Sequence, residues 1–194
     1  MSDEHVVVDF DGTSGIERPT GVQQAVLSNV VDLGDRDDKF KPGKKKHQVI
    51  LIWQLAETYE FEGKVLPFQQ TEFVSVTLNE KSKLRRFIEG MLGTTVEELH
   101  ARVKAKGGTK LKLDLNALIG KNCMLTLVKK DAKPGEDAFT SVESCAPLMK
   151  NLPSIKPQAL PIPQWVTDFV GGGKTEDTAA DAAPDLTDVM AAIS

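Results

Sequence analysis

The chain has 194 residues, 40% hydrophobic and 6% aromatic, with a formal net charge of −4, which is enough apolar material for one domain of ordinary size plus polar ends. No run approaches the roughly 20 apolar residues that span a bilayer, and the opening MSDEHVVVDFDG, with early acids and no basic stretch, gives no expectation of a secretion signal. The charge is uneven: residues 1–17 carry five acids and no Lys or Arg, residues 174–194 carry one lysine against five acids, and the body between them is +5, a pattern that suits a polyanion binder whose acidic ends compete weakly for its surface.

In chain order, residues 1–19 read as an acidic arm. Gly21–Gly34 (GVQQAVLSNVVDLG) reads as a first strand, with Ala25, Leu27, Val31 and Leu33 expected on one face. The polar stretch DRDDKFKPGKKK follows, turning at Pro42-Gly43. His47–Tyr59 (HQVILIWQLAETY) is the strongest strand, with Val49, Leu51, Trp53 and Leu55 on one face and Gln48, Gln54 and Thr58 on the other. Glu62-Gly63-Lys64 turns the chain into a third strand, Phe68–Thr77.

There the period changes. Leu84, Phe87, Ile88, Met91 and Leu92 follow helical spacing, with Asn79 expected to cap the start and Gly93 the end. Thr95-Val96-Glu97-Glu98 has the capping-box pattern and opens a second helix running toward Gly107-Gly108. Asp114–Ile119 reads as a short helical turn stopped by Gly120. Two strands return, Lys121–Lys130 and Ala138–Ala146. The order β-β-β-α-β-β predicts a mainly β fold, a five-stranded oligonucleotide-binding (OB) barrel over residues 20–148 with helix inserted between strands three and four. Residues 149–173, holding Pro153, Pro157, Pro161, Pro163 and Gly171–Gly173, read as a linker. Residues 174–194 read as a disordered acidic tail, in which Asp185, Leu186, Asp188, Val189, Met190 and Ile193 form a candidate partner-docking peptide.

Two signals point to enzymes. Val6–Thr13 (VVVDFDGT) resembles the first motif of haloacid-dehalogenase-type phosphohydrolases, which would make Asp9 the nucleophile and Asp11 the general acid/base. That fold needs alternating βα units after the motif, whereas three strands follow here in succession. Gly173-Lys174-Thr175 mimics the end of a phosphate-binding P-loop, but Asp168 stands where the pattern requires glycine. No catalytic constellation is expected. Cys123 and Cys145 read as reduced core residues, and His5, His47 and His100 are scattered, so neither metal nor cofactor is expected.

The binding signal is stronger. Lys39, Lys41, Lys44, Lys45 and Lys46 cluster with Phe40 in the loop between the first two strands, which in OB barrels borders the nucleic-acid groove. There, lysines neutralise phosphates and Phe40 can stack on a base. Tyr59, Phe61 and Phe68 cluster around the second turn, and Lys129 and Lys130 end the fourth strand, as further candidate contacts. Trp53 reads as core first and stacking platform second.

Glu80–Gly93 (EKSKLRRFIEGMLG) followed by Leu118–Val128 (LIGKNCMLTLV) resembles phage-encoded single-stranded-DNA-binding proteins of OB-fold type, with a K-S-x-L-R helix before an L-[IL]-G-K turn. The resemblance implies coating of single strands during phage replication or recombination; a non-catalytic protein of the host cytoplasm is expected, with a homo-oligomer as a candidate assembly. The acidic tail is similar to the partner-recruiting tails of bacterial single-strand binders, which would take replication or recombination proteins. Those end in acidic-hydrophobic-Pro-Phe, whereas this chain ends Ala192-Ile193-Ser194. The alternative expectation is a phage structural or protein-interaction module without nucleic-acid binding.

Overall fold

The computed structural model describes residues 17–38, 41–130 and 139–171. Five strands, β1 (Gly21–Asp37), β2 (Lys45–Phe61), β3 (Lys64–Ser75), β4 (Asn122–Lys130) and β5 (Phe139–Pro147), form one open antiparallel sheet in the order β3-β2-β1-β4-β5. β2 and β3 are joined by a two-residue turn: Phe61 pairs with Lys64, and Glu62 and Gly63 both take positive φ, 49° and 73°, the twist that a tight hairpin requires. Between β3 and β4 lie α1 (Lys83–Leu92), α2 (Val96–Ala105) and a 3₁₀ turn at Leu115–Leu118, and α3 (Gln164–Gly171) follows β5. No helix among the described residues is long and apolar enough to cross a membrane.

The main core lies on one face of the sheet. Val49, Leu51, Trp53 and Leu55 of β2 meet Ala25, Leu27, Leu125 and Leu127, and α1 closes over them with Leu84, Phe87, Ile88 and Met91. Trp53 is fully buried and stands edge-on to Phe87, ring centroids 5.4 Å apart, as aromatic pairs prefer. The helix begins three residues later than Asn79 suggests. Ser82 is the cap, its hydroxyl accepting from Arg85 N and donating to the Thr77 carbonyl, while Asn79 donates to Thr77 Oγ1. Gly93 ends α1, and the capping box of Thr95 and Glu98 opens α2 as the sequence indicates.

The first strand departs from simple alternation. Leu27 pairs with Trp53 but Asn29 with Ile52, so Ser28 is an extra residue, a β-bulge that reverses the faces of the side chains after it, up to a second register shift between Asp32 and Gly34. Ala25, Leu27 and Val30 therefore face the main core, whereas Val31 and Leu33 face the other side. The Ser28 hydroxyl donates to the Ile52 carbonyl across the bulge.

That other side is also covered. Ile50 and Ile52 of β2 are fully buried against Leu33, Val166, Ile162 and Trp165. The stretch expected as a linker, residues 149–173, thus packs on the sheet as far as it is described. Its extended part is held by side-chain amides that replace a strand's backbone ladder. Gln54 Nε2 donates to the Gln158 carbonyl and Gln54 Oε1 accepts from Gln158 N, at 2.9 and 2.7 Å. Asn122 and Ile155 make the same reciprocal pair at 2.9 and 2.8 Å, and Gln24 donates to the Pro153 carbonyl. Proline fits such a strap because it needs no N–H of its own there, and α3 then lays Val166 and Trp165 over the isoleucines.

Candidate functional site

A cleft of about 630 Å³ opens at the end of the sheet where β3 leaves it, between the start of β2 (Lys46, His47), the end of β3 (Phe73–Ser75) and the approach to α1 (Lys81–Lys83). A second cleft of about 330 Å³ shares Lys46 and Ser75 with it and adds Arg36, Gln48 and Phe169. The floor is aromatic. Phe73 and Phe169 are 42% and 44% exposed, with centroids 5.4 Å apart and nearly perpendicular. Trp165 lies 5.8 Å from Phe73, and the Arg36 guanidinium sits 4.9 Å above the Phe169 ring, a cation–π contact.

The cleft's charges are partly neutralised. Lys46 Nζ is 2.8 Å from Asp38, whose side chain is 2% exposed, and Lys83 Nζ is 2.6 Å from Glu72. His47 contacts Asp32 at 2.8 Å and Asp35 at 3.4 Å. Lys81 is exposed at the rim. Exposed cations beside exposed rings can neutralise phosphates and stack bases.

The expected contact residues are not all brought to this place. Lys41, Lys44 and Lys45 are exposed in the β1–β2 connection next to the cleft, and Lys46 lines it; Lys39 and Phe40 lie outside the described residues. Trp53 and Phe68, at 0% and 5% exposure, are core residues and present no face to a base. Phe68 packs on half-buried Tyr59, centroids 4.8 Å apart. Phe61, at the β2–β3 turn, and Lys129 and Lys130, at the end of β4, are exposed. They lie at the opposite end of the sheet, however, because Leu127 pairs with Gly21 while the lysine loop follows Asp37. Sixteen strand steps separate those levels, roughly 50 Å of strand path. Asp9, Asp11, Lys174 and the tail residues Asp185, Leu186, Asp188, Val189, Met190 and Ile193 lie outside the described residues.

Sequence reasoning missed Arg36, Phe73, Lys81, Trp165 and Phe169 as a group. One signal was available: Ile162, Trp165, Val166 and Phe169 follow i, i+3, i+4, i+7, helical spacing that marks an amphipathic face rather than a linker.

The family-like motifs serve the scaffold. Leu84 and Leu118 are core, and Arg85 clamps α1 to α2 through Glu97 (2.6 Å) and pairs with Glu89 one turn on in α1 (3.0 Å), while Glu89 accepts from Val96 N of α2. The Arg85 guanidinium holds the Glu97 carboxyl below the usual range, and the Thr94 hydroxyl does the same for Glu98. Gly120 N donates to the Leu27 carbonyl and Leu27 N to Lys121, which seats β4 beside the bulge. Cys123 is buried and Cys145 half-buried, both as thiols; contact with Cys145, then burial, pushes the Cys123 thiol far up. Among the described residues no group of three or more His, Cys, Asp or Glu is placed to hold a metal. No family model matches the chain, and no curated protein matches it.

Proposed function

We propose that the chain binds single-stranded DNA with little sequence preference, on an OB-like barrel whose groove is the cleft beside the lysine loop. The observation that carries this reading is the juxtaposition of exposed Phe73 and Phe169 with Arg36, Lys46 and Lys81 around two adjoining clefts that share Lys46 and Ser75. The strand order supports the fold part. The sheet's two edges approach each other side by side in the same chain direction, with Gln70 Nε2 donating to the Thr140 carbonyl at 2.9 Å and Glu72 accepting from Val142 N at 3.0 Å. An approach of the two edge strands, with helix inserted after strand three, supports reading the sheet as a partly open OB-like barrel.

Fluorescence titration with oligo-dT across a NaCl series tests the reading. The expected result is a log affinity falling linearly with log salt, by about 0.7 per phosphate contacted. Absence of binding at every salt, or tight binding indifferent to salt, overturns it. Lys41, Lys44 and Lys45 replaced together by Ala should weaken binding while leaving the fold intact. Lys46 stays untouched in that variant, because it is the ion-pair partner of buried Asp38.

One observation favours a second reading, a protein-interaction module. Phe169 and Val170 of α3 are exposed together with Phe73, an apolar surface that a protein could cover. It predicts partner capture that oligonucleotides do not compete away.

A further inference from the structure

The cleft leaves out the most cationic stretch of the described chain. From Leu99 to Leu113 the sequence LHARVKAKGGTKLKL holds Arg102, Lys104, Lys106, Lys110 and Lys112 and no acid. All five are exposed. The local fold produces this. Leu99 is buried and Leu113 and Leu115 pack against the main core, so in the extended segment after α2 alternate leucines turn in and Lys110 and Lys112 turn out. The turn at Gly107-Gly108 brings the chain back against the last turn of α2, with Gly108 N bonded to the Val103 carbonyl at 2.9 Å.

These cations also differ from Lys46 and Lys83 of the cleft in their partners. Lys46 and Lys83 are held by Asp38 and Glu72. Among the described residues none of Lys104, Lys106, Lys110 and Lys112 forms an ion pair, and only Arg102 has a carboxylate, that of Glu98, one helical turn away. Exposed, unengaged lysines add little to stability and keep their counterions for release to a polyanion. The stretch contains no aromatic residue, so what it offers is phosphate neutralisation without base stacking.

We propose that the segment Arg102–Lys112 is a second contact surface for the phosphodiester backbone of single-stranded DNA, lengthening the path that begins in the cleft. This rests on the single-strand-binding reading above. Continuity comes from the insert itself: it leaves β3 at Ser75, its first residues wall the cleft, and Arg85 of α1, the helix that follows those residues, ties it to α2 through Glu97. Affinity should then depend on strand length, because a strand that only fills the cleft cannot reach the second surface.

The test replaces Lys104, Lys106, Lys110 and Lys112 together by Gln in the full chain and titrates two oligo-dT lengths over a NaCl series, one of about 5 nucleotides, near the smallest site of a single OB fold, and one of about 30, well beyond the largest. Far-UV circular dichroism and the urea midpoint confirm folding. The expected result is wild-type affinity for the short strand and weakened binding of the long one, with a log–log salt slope shallower by up to about 3 for four lost phosphate contacts. If the variant binds the long strand with wild-type affinity and slope, the second surface is wrong while the function stands. Equal weakening at both lengths also overturns it, since the lysines would then belong to the cleft's own field. If wild-type protein binds neither strand at any salt, the function reading itself falls, and the second surface with it.

Discussion

Gly90 marks the tightest approach between α1 and the sheet. A Cβ built there would lie 2.3 Å from the Cys145 carbonyl oxygen, far inside van der Waals contact, and the obstructing atom is backbone. Gly90→Ala should therefore lift α1 from β5 and cost about 1–3 kcal/mol, the usual penalty of overpacking, read as a lower urea midpoint. The aromatic residues divide by exposure. Phe169→Ala should leave the urea midpoint nearly unchanged but weaken oligo-dT binding by about 1–3 kcal/mol if its ring carries a base; unchanged affinity would remove it from the interface. Trp53→Ala should behave in the opposite way, losing about 3–5 kcal/mol of stability as a fully buried ring is deleted. Among the described residues its indole nitrogen has no hydrogen-bond partner, so packing against Phe87 and the leucines, not polarity, holds it.

At the scale of elements, the junction of α1 and α2 and the strap over the sheet make different demands. Glu97 and Glu98 both titrate lower folded than unfolded, through Arg85 and Thr94 respectively. Their contribution is fully present above the ordinary glutamate value of about 4.3 and is lost as pH falls through the depressed folded values. The thermal midpoint should drop on acidification below that range, and Glu98→Gln, which keeps the helix but removes the titrating group, should flatten the acid limb. The strap answers to apolar surface instead. Val166 is fully buried, and burial of such a side chain is worth about 1.5–3 kcal/mol. Truncation after Leu148 would also uncover Ile50 and Ile52 and leave Gln54 and Asn122 without their strap partners. A lower thermal midpoint with increased binding of a hydrophobic dye is the expected outcome; unaltered stability would mean the sheet needs no second cover.

For the whole molecule, charge distribution governs binding more than net charge does. A −4 protein repels DNA on average, yet the body between the acidic ends is +5, and local potential decides contact within a Debye length of roughly 8 Å at physiological salt. Truncation after Gly173 removes one lysine and five acids and should tighten oligo-dT binding at low salt, with the gain vanishing as salt rises. Equal affinity with and without the tail at low salt would show that its acids do not compete. Exposed cations occur at both ends of the sheet, at Lys41–Lys46 and at Lys129–Lys130; the first set adjoins the clefts that hold exposed Phe73 and Phe169.

The succession of strands and helices, the helical face Leu84-Phe87-Ile88-Met91, the Thr95–Glu98 box and the asymmetry of charge were legible in the sequence, because each is carried by residues near one another along the chain. The sequence by itself also made β2 apolar on both faces, through Ile50 and Ile52 as much as through Leu51 and Trp53. What covers each face was decided only in the tertiary structure. The bulge at Ser28 turned Val31 and Leu33 away from the main core, and the strap that meets them is bonded to Gln54 from 104 residues away in sequence. The two adjoining clefts likewise gather Arg36, Phe73, Lys81 and Phe169 from four separate segments. Periodicity and capping are local and can be read along a chain, whereas a groove exists only where distant segments meet, and that meeting is selected by burial of both sheet faces together.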